Sequence, residues 1–263
     1  MISMIRKFLI LLTLCFATSL SAETVDSVRP VTSVYGLETG GANINCDYLS
    51  PLPYTGTGIA WYGGWGKAMR QHPRDLVMAF TAGLDFTRTK NPSESASMLS
   101  VGGRFGWGPS WRKDLAANLE MTLGGALDIS GGALWLPVNG NNPVQVMVYA
   151  GIDLTAGLAW KTRFGRLPVT FADRAALPTL GVFFCPEYGE AYYEIYLGDH
   201  SGLAHAGWWG NCFGINNHLT MTLHFKNRKS LVLGYRLYVR TNHANNLTNQ
   251  YVRNAFTVAL QIN

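Results

Sequence analysis

Charge is scarce in this sequence. Asp, Glu, Lys and Arg together supply 14% of the 263 residues, against 48% for apolar types. That balance excludes a disordered chain, which combines low hydrophobicity with high charge. The formal net charge of +5 is scattered, with no basic block. A nucleic-acid-binding face needs clustered Lys and Arg, so no nucleic-acid partner is expected. Long apolar runs are also missing: beyond the N-terminus nothing approaches the roughly 18 residues of a membrane-spanning helix. Cysteine is sparse, at four residues, and none is spaced as a zinc ligand. No metal and no cofactor is expected.

The N-terminus does carry a pattern. Arg6 and Lys7 precede an apolar stretch, Phe8 to Ala17, and Ser19-Leu20-Ser21-Ala22 offers a small-residue cleavage site before Glu23. This is the make-up of a secretory signal. The reading is a leader over 1–22, cleaved on export, and one mature domain over 23–263 without a linker. Cleavage leaves Cys46, Cys185 and Cys212. An odd count argues against a disulfide framework. A Cys185–Cys212 bond in an oxidising compartment and free thiols both stay open.

What the mature chain has in quantity is period-two alternation, the strand period. From Leu115 to Asp128, Leu115, Leu119, Met121, Leu123 and Leu127 share one face, while Asn118, Glu120, Thr122 and Asp128 share the other. From Val144 to Lys161, Val144, Val146, Val148, Ile152, Leu154, Leu158 and Trp160 oppose Gln145, Tyr149, Asp153, Thr155 and Lys161. The same reading gives about ten strands: 31–45, 56–69, 75–88, 97–107, 115–128, 143–162, 166–176, 210–225, 229–241 and 252–262. Eight to twelve stay possible, since Ala191 to Leu197 also alternates. Turns near Gln71 to Arg74, Gly108 to Trp111, Phe164-Gly165 and Lys226 to Lys229 read as short. Connections near Ser50 to Pro53, Asn91 to Ser93, 129–143, 177–209 and 242–250 read as mostly longer.

An even strand count with short turns at one end and long loops at the other is the pattern of an all-β, antiparallel up-and-down transmembrane barrel. The bulky residues lie on one face, which suits lipid outside and a polar lumen inside. By parity Trp65, Trp107, Trp160 and Phe225 fall on the apolar face beside short turns, where a membrane-interface girdle belongs. The expectation is a monomer in the cell outer membrane, touching its lipid, with both mature termini in the periplasm.

The mature chain resembles the small outer-membrane barrels of Gram-negative bacteria. Asp47-Tyr48-Leu49-Ser50-Pro51-Leu52-Pro53-Tyr54-Thr55-Gly56, the stretch Phe183 to Tyr196 with Pro186-Glu187-Tyr188-Gly189, and Gly210 to His218 resemble an uncharacterised family of such barrels, known as a domain of unknown function. That resemblance implies location and fold, and no activity. The final strand, with Phe256, Val258, Leu260 and Ile262 alternating, ends Ile262-Asn263, where the resemblance would have a terminal aromatic.

The lumen face carries Glu38, Asp85, Arg104, Glu120, Asp153, Lys161, Arg174, Arg236 and Arg240. A narrow barrel fills with side chains, and buried charges demand partners, so a salt-bridged plug is favoured over a narrow channel or ligand cleft lined by the same groups. Catalysis is the weaker alternative. A lipid hydrolase, of the lipid A or phospholipid deacylase type, needs a histidine to deprotonate a serine. Asp199-His200-Ser201 with His205, and His218 with Thr220, are weak candidates. Neighbours on an extended chain point apart, and His218 faces the lumen rather than lipid. Ala133 to Pro137 and Ala206 to Trp209 place large apolar groups on loops, either for a ligand or protein partner or to pack on each other.

Overall fold

A computed structural model describes residues 31–69, 75–189, 192–198, 202–225 and 228–262. The 1–22 leader, and with it the question of cleavage, lies outside the described residues. The alternating stretches form strands β1 (Val31–Cys46), β2 (Ser50–Ala68), β3 (Leu76–Lys90), β4 (Ser97–Ala116), β5 (Leu119–Trp135), β6 (Val144–Phe164) and β7 (Leu167–Phe184). A short helix α1 (Tyr192–Tyr196) and strand β8 (Ala204–Trp208) follow. The chain then returns through β9 (Cys212–His224), β10 (Lys229–Ala244) and β11 (Leu247–Ile262).

Each strand pairs antiparallel with its neighbour, β11 closes onto β1, and β7 pairs with both β6 and β9. The result is a closed ring of ten strands, with β8 lying outside it on the edge of β7. Pairings from Trp160 run through Phe171, Met221, Leu233, Val258, Leu37, Trp61, Leu84, Gly103 and Gly131, and return to β6 at Val148. Val148 is twelve residues from the start, so the barrel is staggered by twelve. Stagger of this kind accompanies strands tilted by roughly 35–45°.

The alternation sorts the faces as barrel geometry requires. Outward lie exposed Leu37, Ile59, Leu84, Val101, Ile152, Leu219 and Phe256, the last 70% exposed. Inward lie buried Glu38, Asp128, Asp153, Arg240 and Arg253. Apolar residues exposed around the circumference over a polar, buried interior invert the layout of a water-soluble barrel.

Several connections differ from the sequence reading because ladders run on past the belt. Gly108 to Trp111 is no turn: β4 runs through it, and the turn is Ala117-Asn118. Ser50 to Pro53 opens β2. The expected loop at 242–250 is a tight hairpin turning on Asn245 and Asn246, both at positive φ (51° and 58°), a geometry that Asn tolerates. Tyr192–Tyr196 is helical, so the alternation over 191–197 adds no strand to the barrel. The long segment after β7 does add a short strand, β8, outside the ring.

Candidate functional site

Halfway along the lumen, β1, β9, β10 and β11 bring charged groups together. Arg236 Nε donates to Glu38 Oε1 at 2.5 Å, and Arg253 Nη2 donates to Glu38 Oε2. Arg236 Nη1 donates to Asn216 Oδ1 at 3.0 Å and lies over the Tyr62 ring. Arg236 Nη2 is 3.1 Å from His218 Nδ1. Because a guanidinium only donates, Nδ1 accepts, the proton sits on Nε2, and Nε2 donates to Thr257 Oγ1 at 3.2 Å. One carboxylate thus balances two buried guanidiniums in a cluster that plugs the barrel.

Above the plug, toward the loop end, lies a cavity of about 90 Å³. Tyr251 donates to Asp85 Oδ2 at 3.0 Å and accepts from Thr87 at 2.9 Å. Arg240 Nη2 donates to Asp128 Oδ2 at 2.8 Å and stacks on Tyr149, 3.8 Å from the ring centroid. Arg104 stacks on Tyr238 at 4.3 Å. Several buried polar atoms on lining residues have no hydrogen-bond partner in the protein: Asn45 Oδ1, Ser100 Oγ, Tyr149 OH, Asn249 Oδ1, and Nε and Nη1 of Arg240. Buried polar groups are normally satisfied, so their concentration around one space is the feature to explain. Ile44, Tyr54, Met98, Leu134 and Leu136 form an apolar cluster at the loop end.

Helix α1 sets Tyr192 against the rim of the mouth. Tyr192 OH accepts from the Val146 N–H at 2.7 Å and donates to Gln145 Oε1 at 3.2 Å. Its ring stacks on Phe184 and meets Tyr48 edge-on. His205 Nε2 lies 3.0 Å from the Cys185 carbonyl, so it is the protonated nitrogen. Cys185 and Cys212 are both free and buried in this structure. Burial pushes the Cys185 thiol up to about 11.

Of the irregular places in the wall, one borders the lumen charges. The β7–β9 ladder ends at Ala176–Asn216. Above it β7 bulges at Thr179, whose hydroxyl donates to the Ile152 carbonyl at 2.7 Å, and from Leu180 its edge pairs with β8 instead. From Cys212 to Ile215, β9 pairs only with β10. In this fork Pro178 sits against Gly214, where an added Cβ would lie 3.2 Å from Pro178 Cγ. Trp209 Nε1 donates to the Pro178 carbonyl. Behind the fork is a space of about 10 Å³ lined by Arg104, Asp153, Tyr238 and Arg240 from inside and Ala176, Pro178 and Ile215 from the wall.

The residues singled out by sequence fall into separate places. Glu38 and Arg236 meet in the plug, Asp85 and Arg104 line the cavity, Arg240 pairs with Asp128, and Asp153 stands behind the fork. Arg174 is exposed opposite His218. Glu120 and Lys161 pair at 2.9 Å at the far end, where Lys161 is half exposed, apart from the rest. Parity places Tyr149 on the polar face and could have supplied Tyr251, Arg253 and Thr257 as well, since Phe256 and Val258 face outward. Trp107, Trp160 and Phe225 are exposed on the outer face, and Trp65 is half covered, its Nε1 donating to Tyr35 OH. Trp107 stands mid-strand rather than at a strand end. His200 and Ser201 lie outside the described residues. Both His218 nitrogens are engaged, by Arg236 and Thr257, which leaves neither for a serine. Among the described residues no group of His, Cys, Asp and Glu could hold a metal ion.

Comparison with known proteins agrees with the fold. The chain is similar to the transport unit of the autotransporter AIDA-I from Escherichia coli, with 9% identity, a TM-score of 0.53 and 93% of each chain covered. It is also similar to the outer membrane protease OmpT from Escherichia coli, with 8% identity, a TM-score of 0.50, and 92% of this chain and 99% of that one covered. Identities this low speak for the barrel architecture alone. No curated protein matches. The family model for proteins of unknown function DUF3316 matches residues 6–262. A ten-stranded barrel of outer-membrane type, this chain belongs to the DUF3316 family.

Proposed function

We propose that the protein is a binding barrel of the outer membrane, which holds a small polar ligand, or the polar head of a larger one, in the cavity between the Glu38 plug and the Tyr192 lid. The observation that carries this reading is the set of unsatisfied buried groups converging on one space, with Arg240, Ser100, Tyr149, Asn45 and Asn249 among them. Acceptors and donors left idle in a low-dielectric interior cost about 1–3 kcal/mol each, and a polar guest repays them. The belt of exposed apolar side chains supports placement in lipid, and the secretory leader supports export. In this placement both ends of the mature chain face the periplasm and the lid faces outward. The lumen charges argue against an open pore, because the Arg240–Asp128 pair joins β10 to β5 across the lumen.

Two measurements test the reading. In planar bilayers under molar potassium chloride the barrel should show no steady conductance; a constant ohmic current would make it a channel. Small carboxylic acids, amides and amines should give saturable NMR shifts of the Arg104 and Arg240 guanidinium signals, and Ser100→Leu, which fills the cavity with apolar atoms, should remove them. Unsaturable or absent shifts for every probe would overturn the binding function.

A further inference from the structure

We infer that the cavity is loaded sideways from the membrane, through the fork between β7 and β9, and that its guest is a single-chain amphiphile with a carboxyl-sized head. The inference rests on the binding function proposed above and adds a route and a ligand class.

The argument begins with the wall. A barrel in lipid satisfies its backbone through an unbroken ladder. Here the β7–β9 ladder stops at Ala176–Asn216, and Leu177 to Thr179 face Cys212 to Ile215 without pairing. The gap is filled by side chains, the Pro178 ring against Gly214 and the Trp209 indole on the Pro178 carbonyl. Proline has no N–H to give to a ladder, so β7 cannot pair with β9 through this residue. Side-chain packing can part without breaking a backbone ladder. The β4–β5 ladder also lapses, at Gly108 and Pro109 opposite Gly125 and Ala126, but those residues line neither the main cavity nor the space behind the fork.

The fork also connects the right regions. Arg104, Tyr238 and Arg240 line both the space behind it and the main cavity. Outside, its rim is apolar: Leu154, Leu180, Trp208, Trp209 and Phe213 are each more than half exposed. An alkyl chain would lie against that rim while its head reaches inward. At the inner end, Arg240 Nε and Nη1 offer donors and Asp153 Oδ1 offers an acceptor, all buried and unpartnered. A carboxyl group suits this set: its oxygens accept from Arg240, and in its protonated form it donates to Asp153. Its small size fits a passage with room for about one water.

The test uses the full-length barrel in phosphatidylcholine vesicles with a photoactivatable dodecanoate, its diazirine beside the carboxyl. A short-chain diazirine acid that stays in water is the second probe. Illumination followed by mass spectrometry should place dodecanoate label on the Tyr238 to Arg240 segment in the unaltered protein. The fork is then locked by Pro178→Cys with Gly214→Cys, in a chain carrying Cys46→Ala, Cys185→Ala and Cys212→Ala. Oxidation should reduce lumen labelling to the dark background, and reduction of the same sample should restore it, so each preparation reports on its own folding. Equal labelling in the oxidised and reduced forms would overturn the passage and leave the binding function standing. So would lumen labelling by the short acid, with the fork locked, as strong as that by dodecanoate with the fork open, since the cavity would then fill from water. Absence of lumen labelling by either acid, even in the unaltered protein, would overturn both.

Discussion

Replacing Glu38 by alanine should cost this barrel more than any other single charge removal at an ion pair. The carboxylate is 1% exposed and its two guanidinium partners, on Arg236 and Arg253, are 12% and 7% exposed. Opposite charges about 4 Å apart interact by roughly 4 kcal/mol at the effective dielectric suited to protein sites. Part of that is offset by the cost of burying the carboxylate. The dominant loss is that two cations are left without a counter-charge, and breaking a buried pair in this way costs about 3–5 kcal/mol. Glu38→Gln, which keeps the shape, should lose most of the same amount. The control is Glu120→Ala: its partner Lys161 is 55% exposed, and pairs of that kind contribute about 1 kcal/mol or less. The assay is urea unfolding of vesicle-embedded protein, followed by tryptophan fluorescence and by the gel shift between folded and heated forms. A lower midpoint at unchanged slope reports stability alone. If Glu38→Ala costs no more than Glu120→Ala, the guanidiniums are solvated from the lumen and the plug is not held by charge.

Three further outcomes follow from other parts of the molecule. Asn246→Ala should destabilise the barrel by about 1 kcal/mol, because alanine pays the left-handed penalty that Asn and Gly avoid, while Asn246→Gly should be neutral or stabilising in the same urea titration. Asp173 bonds Asn217 at 2.7 Å on the outer face, between exposed Leu158 and Leu219. The double change Asp173→Leu with Asn217→Leu should raise stability by about 1 kcal/mol, as removing charge from lipid does; a lower midpoint would mean that this pair meets something other than lipid. Cys185, its thiol raised to about 11, should react with iodoacetamide at pH 8 only after unfolding, since the thiolate is the nucleophile; rapid labelling of the native protein, mapped by mass spectrometry, would contradict its burial.

The ring was legible in the sequence because lipid makes its demand residue by residue. Val148, Ile152, Leu154, Leu158 and Trp160 declare their face whatever their neighbours do, and so does each strand of the belt. Beyond the belt the demand ends, and polar strands such as the ends of β10 and β11 look like loops. The Tyr192 helix failed for a related reason: a few alternating residues fit a strand on paper, but tyrosines packing on Phe184 and Tyr48 decide the conformation. Lumen partners were harder still. Parity shows that Glu38, Asp128 and Arg240 face inward, but which of them meet depends on the stagger of twelve around the ring. The pairing of Arg240 with Asp128, 112 positions away in sequence, is set by that offset. The cavity and the fork are properties of the closed ring and have no local signature, apart from Pro178 in a strand, a residue that central strands avoid.

The pairing of β1 with β11 has a consequence for how the molecule comes into being. Ser33 meets Ile262 at one end of that ladder and Cys46 meets Asn249 at the other. No shorter contact substitutes for it, so the loop that must close is nearly the whole chain, and contacts of such separation form slowly. Until they form, two strands carry open edges that lipid cannot satisfy. Entry into the bilayer and closure of the circle are therefore a single coupled event. A sheet with nine strands in register is, for this chain, still a species that belongs in neither water nor membrane.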